Sequence, residues 1–370
     1  MDAPHQWQAG ANPLAPIWPL VPPLKPDEVI SSWLVRCALA MGCDPLTLTN
    51  SLWPGTRFWS RDPDRYLNLY QAKELSVLAG IPADLFAASV LSRIQSLLVG
   101  RRGDPSHAVQ WVLCLGARNR RRAGGLQYCP ACFAEEGAYY KVQSRLAWHC
   151  SCPRHRLTLL SGCQQCNAPL CPHLLSPPDL DLCRCHRCHF ELALAVAQPA
   201  LVSALDFQEA ADGLFSGRQA VYGTYLLELG EWFYVCRLLL GILRWAARFH
   251  SACTRPFFTS CGVDYMGLTV PALGLPFQYL PAGDRARLLR DTWAMLQAGP
   301  EKLSAAAQRL PVPPSMMRLP AGDPPACVQS IFADAHGRHN AEAVHHRAHA
   351  DHTTRNVLMQ WQRLLRKLQR

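Results

Sequence analysis

The sequence predicts a mostly α-helical protein with two tandem zinc-ribbon modules between an N-terminal helix-turn-helix domain and a C-terminal helical domain. Three observations support this fold class. Apolar residues recur at helical spacing on both sides of a central segment, and that segment, residues 126–190, holds ten of the 17 cysteines. The 370 residues are enough for two or three domains, and 49% hydrophobic against 17% charged residues excludes a disordered chain.

Changes in composition divide the chain into seven segments. They are an extended proline-rich arm (1–26), an N-terminal helical helix-turn-helix domain (27–122), zinc ribbon 1 (123–160), zinc ribbon 2 (161–195), a C-terminal helical domain (196–310), a proline-rich linker (311–335) and a basic C-terminal helix (336–370). Helical spacing predicts further helices, with bounds near 28–41, 46–53, 71–79, 84–99, 205–214, 221–250 and 284–308.

The helix-turn-helix is predicted from its capping residues. Asp27 precedes the first apolar helical run and is expected to cap it, and Gly42 lies where a left-handed residue ends a helix. Asp44 and Pro45 then form a start signal for a second, shorter helix. Two helices joined by a tight turn that contains glycine are the outline of this motif.

The central cysteines fall into two sets of paired ligands with the spacing of zinc sites. Each set has two short pairs, separated by 19 residues in the first set and by 18 in the second. Four cysteine or histidine ligands suit a tetrahedral zinc ion, and they leave no open position for water or substrate, so we expect two structural zinc ions. The predicted ligands are Cys129, Cys132, Cys152 and His155 for site 1, and Cys163, Cys166, Cys185 and Cys188 for site 2.

The ligand register of site 2 stays open, because other cysteines and histidines lie close by in the sequence. The rivals are Cys171, His173, Cys183, His186 and His189. In site 1, Cys150 is a rival of Cys152, with a poorer spacing to His155.

The sequence lacks common catalytic motifs, and we predict that the protein is not an enzyme. It has neither the G-x4-G-K-[ST] loop of nucleotide hydrolases nor the HExxH helix of metalloproteases. An alternative is a metalloenzyme built on the C-terminal histidines His345, His346, His349 and His352, of which three would share one helical face.

The charge of +10 favours an acidic partner, and the basic residues gather toward the two ends of the chain. The helix after Gly42 is one predicted DNA contact, and two basic groups could contact the phosphates of double-stranded DNA. They are Arg118, Arg120, Arg121 and Arg122 in a central stretch, and Arg363, Arg366 and Lys367 in the last helix.

A cytoplasmic, nucleoid-associated location is expected. No secretory signal opens the sequence, and the most apolar long segment, residues 226–247, contains four charged residues, which excludes a membrane span. The cytosol also keeps thiols reduced, which favours metal ligation over disulfides.

Two stretches resemble the TniQ family of transposition target-selection proteins. The first is Pro22-Pro23, Glu28 and Ser32-Trp33-Leu34-x-Arg36-x-Ala38. The second runs through Gly125-x2-Tyr128-Cys129-Pro130-x-Cys132-x2-Glu135, Tyr139-Tyr140, Arg145-Leu146-x-Trp148, Cys152-x2-His155, Leu159 and Cys163-x2-Cys166. Gln143-Ser144 departs from the family pattern, which usually shows a tryptophan beside the arginine.

The resemblance implies an adaptor in DNA transposition. Such proteins link target DNA, or a protein or guide-RNA complex bound to it, to an AAA+ ATPase that recruits the transposase. The alternative from the residues alone is a sequence-specific, zinc-containing DNA-binding regulator. The sequence leaves open which targeting route is used and whether the protein forms a homodimer.

Overall fold

Helices dominate the computed structural model, which describes residues 17–88, 91–99, 111–115, 125–179, 181–249, 251–268, 275–310, 312–313, 315–320 and 322–331. The predicted fold class, mostly α with small metal-binding modules, is confirmed. The α-helices are α1 (Ile30–Ala40), α2 (Pro45–Leu52), α3 (Pro63–Tyr66), α4 (Leu69–Ala79), α5 (Ala83–Ala88), α6 (Ser92–Val99), α7 (Pro130–Glu136), α8 (Val202–Phe215), α9 (Leu229–Phe249), α10 (Arg255–Ser260) and α11 (Ala282–Arg309).

Four short strands form two antiparallel hairpins in the described residues. They are β1 (Ser151–Cys152) with β2 (Leu157–Thr158), and β3 (Ala220–Tyr222) with β4 (Tyr225–Leu227). No helix in the described ranges is both long and apolar enough to cross a membrane.

The predicted helix pair is present, although one predicted cap is wrong. The Asp44 carboxylate accepts hydrogen bonds from the Thr47 amide and hydroxyl at 2.8 and 2.7 Å and so caps α2. Gly42 has φ 73°, the left-handed value expected at the end of α1. Asp27, however, does not cap α1. Val29 holds that position and has no side chain that could cap the helix. The Asp27 carboxylate accepts a hydrogen bond from the Tyr139 hydroxyl instead, and the Asp27 backbone carbonyl accepts one from the Val142 amide.

Three other predicted helices differ from the structure. Residues 84–99 form α5 and α6 rather than one helix, and the Leu91 amide between them donates to the Asp64 carbonyl. Residues 221–250 begin with the β3–β4 hairpin, because Gly223 adopts φ 61° in the turn between two short strands that each contain one tyrosine. Helix α11 is kinked where Gly299 has φ 83° before Pro300, which has no amide hydrogen to donate.

The largest core is formed by helices α8 to α11 together with residues from earlier in the chain. Trp111 and Trp148 both pack on Phe233 of α9, with ring centroids 5.0 Å apart in each pair. Five residues within the predicted proline-rich linker, residues 311–335, are buried in this core: Met316, Met317, Cys327, Val328 and Ile331. The positions of the domain boundaries stay a prediction.

The proline-rich arm packs on the N-terminal helices where it is described. Trp18 stacks on Trp33 of α1, with ring centroids 6.1 Å apart, and the Trp33 indole donates to the Pro22 carbonyl at 2.9 Å. No helix forms in residues 17–26.

Candidate metal centres and the surfaces around them

Site 1 lies where α7 and the β1–β2 hairpin meet. Cys129 immediately precedes α7, Cys132 lies in its first turn, Cys152 ends β1, and His155 follows in the hairpin turn. Their ligand atoms all lie within 4.8 Å of one another. The Cys132 and Cys152 sulfurs are 3.7 Å apart, and the His155 Nδ1 atom lies 3.3 to 3.6 Å from the three sulfurs.

These separations match the edges of a tetrahedron around one metal ion. Zinc–sulfur bonds of about 2.3 Å give sulfur–sulfur edges of about 3.8 Å, and a nitrogen ligand at about 2.0 Å shortens its edges to about 3.5 Å. The thiols of Cys129 and Cys132 donate hydrogen bonds that hold the pKa of Cys152 well below its usual range. The same contacts raise the pKa of Cys129 and Cys132, so without a metal ion the three thiols share their protons.

Glu135 supports the orientation of His155. Its carboxylate lies 3.1 Å from His155 Nε2, while Nδ1 faces the sulfurs. Metal-ligating histidines commonly donate their second ring hydrogen to a carboxylate in this way. The sequence motif contains Glu135, but nothing in the sequence alone indicated this contact.

Site 2 brings together the four predicted cysteines. The Cys163 and Cys188 sulfurs are 3.6 Å apart, the Cys166 and Cys185 sulfurs are 3.7 Å apart, and all four lie within 4.8 Å. The six rival residues, all described, belong to neither cluster; they are Cys150, Cys171, His173, Cys183, His186 and His189. His173, for example, stacks on Trp59, and His189 contacts Asp179. The two clusters can therefore each hold a metal ion.

A buried ion-pair network connects site 1 to the N-terminal helices. Arg145 has no exposed surface, and its guanidinium donates to the carboxylates of Asp62 and Asp64 and to the Leu113 carbonyl. Asp64 also accepts hydrogen bonds from the amide and hydroxyl of Ser31 in α1, both at 2.7 Å. These contacts fix the segment between α7 and β1 against α1 and α3.

A second buried arginine connects site 1 to the C-terminal helices. Arg285 of α11 donates to the carbonyls of Leu280 and Ala147 and, at 2.5 Å, to the Gln127 side chain. Gln127 in turn donates to the His149 carbonyl at 3.0 Å. Burial lowers the pKa of Arg285. Two buried guanidinium groups thus hold the site 1 module against the N-terminal helices and against the C-terminal helices.

Helix α2 presents one polar face beside basic side chains. Its exposed residues are Leu46, Thr47, Asn50 and Ser51. An open groove of about 400 Å³ runs between α2 and the 3-10 turn at Phe58–Arg61, with Arg57 and Trp59 in its wall. Arg57 and Arg61 are exposed.

The other predicted DNA-contacting residues lie outside the described residues. They are Arg118, Arg120, Arg121, Arg122, Arg363, Arg366 and Lys367. The C-terminal histidines of the metalloenzyme alternative lie outside them as well, and these are His345, His346, His349 and His352.

The chain is thus a mostly helical protein with a helix-turn-helix outline and two clusters of four residues that could each hold a metal ion. The family model that matches is TniQ, over residues 19–159. The match agrees with the resemblance that the sequence motifs indicated, and the matched region spans α1 to β2 with all of site 1. A search of curated proteins found no match. TniQ proteins are a non-enzymatic family that acts in target selection during DNA transposition.

Proposed function

We propose that this protein is a target-selection adaptor that links target DNA, or a DNA-bound targeting complex, to an AAA+ ATPase transposition regulator. The observation that carries the proposal is the TniQ match over residues 19–159. The adaptor would act at the nucleoid in the cytoplasm, where its target DNA lies. It would work by binding alone, without catalysis of its own.

Each metal cluster would hold one structural zinc ion. Three thiolates with an imidazole in site 1, and four thiolates in site 2, are donor sets that zinc prefers. All four positions of each ion are then filled by the protein, which leaves none for a substrate. The zinc ions would stabilise small modules with little regular structure; the two strands beside site 1 are only two residues long.

The exposed face of α2 and the adjoining groove would contact duplex DNA. Arg57 and Arg61 can pair with phosphates, while Asn50 offers an amide to a base edge. The arginines at 118 and 120–122, and the basic residues of the last helix, would add phosphate contacts.

Fluorescence anisotropy of the zinc-loaded chain on random and candidate-site duplexes, across a salt series, tests the DNA contact. The slope of affinity against salt counts phosphate contacts. The double variant Arg57→Glu, Arg61→Glu should lower the affinity and flatten the slope by about two contacts. Arg218→Glu, at an exposed arginine that lies beside Glu209, is the matched control and should leave both unchanged. Equal slopes for the double variant and the wild type would refute the contact.

The capped α2 with its exposed polar face also suits a second candidate, a sequence-specific DNA-binding regulator. The same experiment separates the two functions. A regulator would prefer its own site over random duplex by about a thousandfold or more. An adaptor that takes its specificity from a partner would bind both duplexes with equal affinity. When bound to DNA-coated beads, it would also retain a purified AAA+ ATPase of the same transposition system.

A further inference from the structure

The module that contains site 2 packs on the N-terminal helices close to the groove beside α2. Between Cys166 and Cys185 the chain forms a 3-10 turn at Pro172–Leu174, and this turn contacts both α1 and α2. The leucines that flank the turn, Leu170 and Leu175, are buried in one cluster with residues of α1. The site 2 module is therefore held against the helix-turn-helix.

An aromatic stack connects this turn to the wall of the groove. The His173 ring lies nearly parallel to the Trp59 indole, with ring centroids 5.1 Å apart and an interplanar angle of 13°. The Trp59 indole donates a hydrogen bond to the Thr49 hydroxyl of α2 at 2.9 Å, and that hydroxyl donates to the Pro45 carbonyl at 2.9 Å. Trp59 and Thr49 both line the groove, whereas His173 contacts the groove wall only through Trp59.

Trp59 lies between the two arginines that are proposed to contact phosphates. It is in the middle of the 3-10 turn at Phe58–Arg61, with the exposed Arg57 two residues before it and the exposed Arg61 two residues after it. The indole is held on one face by His173 and at its nitrogen by Thr49. These two contacts fix the turn beside α2, and so they fix the backbone from which both arginines extend.

We propose that His173 is a positioning residue for DNA binding. By stacking on Trp59 it holds the turn with Arg57 and Arg61 beside α2, so that the site 2 module supports the DNA-contacting groove. His173 itself does not contact the DNA. This inference rests on the DNA contact proposed above for the groove.

Fluorescence anisotropy of the zinc-loaded full chain on a random duplex, across a salt series, tests this role. His173→Ala should lower the affinity about five- to tenfold and flatten the salt slope by about one phosphate contact. His173→Phe keeps an aromatic ring against Trp59 and should retain the wild-type slope. In the Arg57→Glu, Arg61→Glu background, His173→Ala should flatten the slope no further, because the contacts that it positions are already lost.

Phe215→Ala is the matched control for the loss of a stacked ring. Phe215 is half-buried and stacks on Trp148, with ring centroids 5.6 Å apart and an interplanar angle of 7°, and it packs against the main core instead of the groove. The variant should lower the free energy of unfolding in urea but leave the affinity and the salt slope as in the wild type. If His173→Ala does not fold, His173→Leu replaces it, since it fills the space without a planar ring and should also flatten the slope.

The outcomes separate the inference from the proposal beneath it. A wild-type chain that does not bind duplex, or an arginine double variant with the wild-type slope, would overturn the proposed DNA contact and the inference with it. A flattened slope in the double variant, with the wild-type slope in His173→Ala or His173→Leu, would overturn the inference alone. The inference would also be overturned if Phe215→Ala flattened the slope as much as His173→Ala, or if His173→Phe did so.

Discussion

Replacing Arg145 tests how strongly the metal-binding modules depend on the N-terminal helices. In the folded protein the Arg145 guanidinium is fully buried between Asp62 and Asp64. Arg145→Met would leave two buried carboxylates without a counter-charge. Breaking a buried ion pair from one side costs about 3–5 kcal/mol, so we expect a loss of that size in the free energy of unfolding. Arg145→Lys keeps the charge but cannot form the bidentate contacts of the guanidinium, so its free energy of unfolding should lie between those of the wild type and Arg145→Met.

Urea denaturation followed by tryptophan fluorescence measures the loss, since the chain has 11 tryptophans. The matched control is Arg218→Met, because Arg218 forms an exposed pair with Glu209 at 3.7 Å, and such a pair contributes about 0–1 kcal/mol. An Arg145→Met loss no larger than that of the control would refute the reasoning.

The pH dependence of the Arg145→Met variant gives a second check. Burial already raises the pKa of Asp64, and Arg145 opposes that rise. Without the arginine, the folded-state pKa of Asp64 rises further above its unfolded value, so the folded state binds more protons. The free energy of unfolding of the variant should therefore increase as the pH falls from 7 toward 5, and its difference from that of the wild type should become smaller. A deficit that is constant with pH would contradict the assignment to unpaired carboxylates.

Two further predictions concern local structure. A Cβ atom at Gly125, where φ is +70°, would lie 2.3 Å from the Cys114 carbonyl oxygen, so Gly125→Ala should lower the free energy of unfolding in urea by about 2–5 kcal/mol. Gly55→Ala, at a similar φ of +73° but with open space for the Cβ atom, should lower it by about 1 kcal/mol. Equal losses for the two variants would contradict the steric clash. Burial lowers the pKa of His173 to about 4, below its unfolded value of about 6.5, so the stability that depends on neutral His173 is lost as the pH falls from 6.5 toward 4. His173→Phe keeps an aromatic ring against Trp59 but has no group to protonate. Between pH 7 and pH 5 its free energy of unfolding should therefore decrease by about 2 kcal/mol less than that of the wild type. Equal decreases would show that His173 does not cause this loss of stability.

The sequence predicted the local features that depend on short spacings. Cys129 and Cys132, like Cys163 and Cys166, are close in the chain, so their pairing required no knowledge of the fold. The Asp44 cap was predictable for the same reason, since it depends on the Thr47 amide three residues later. The structure brings together the ligand atoms of each predicted set, and zinc binding by them stays a prediction.

Contacts between distant segments could not be read from the sequence. Arg145 meets Asp62 and Asp64 across more than 80 residues, and Arg285 meets Gln127 across 158. The Asp27 cap failed for the same kind of reason, because a long-range pairing with residues 139–142 displaced a local preference. The helix predicted at residues 221–227 was also wrong. The apolar residues there fit both helical spacing and strand alternation, and the turn at Gly223 makes the segment a hairpin.

The position of insertions tests the central claim most directly. Insertion sites would be sequenced in cells that carry the cognate transposase and AAA+ ATPase, with and without this protein. If the protein selects targets as an adaptor, insertions should concentrate at defined sites only when it is present, and Cys132→Ser, which removes a ligand of metal site 1, should disperse or abolish them. The same pattern of insertion sites with and without the protein would contradict the account.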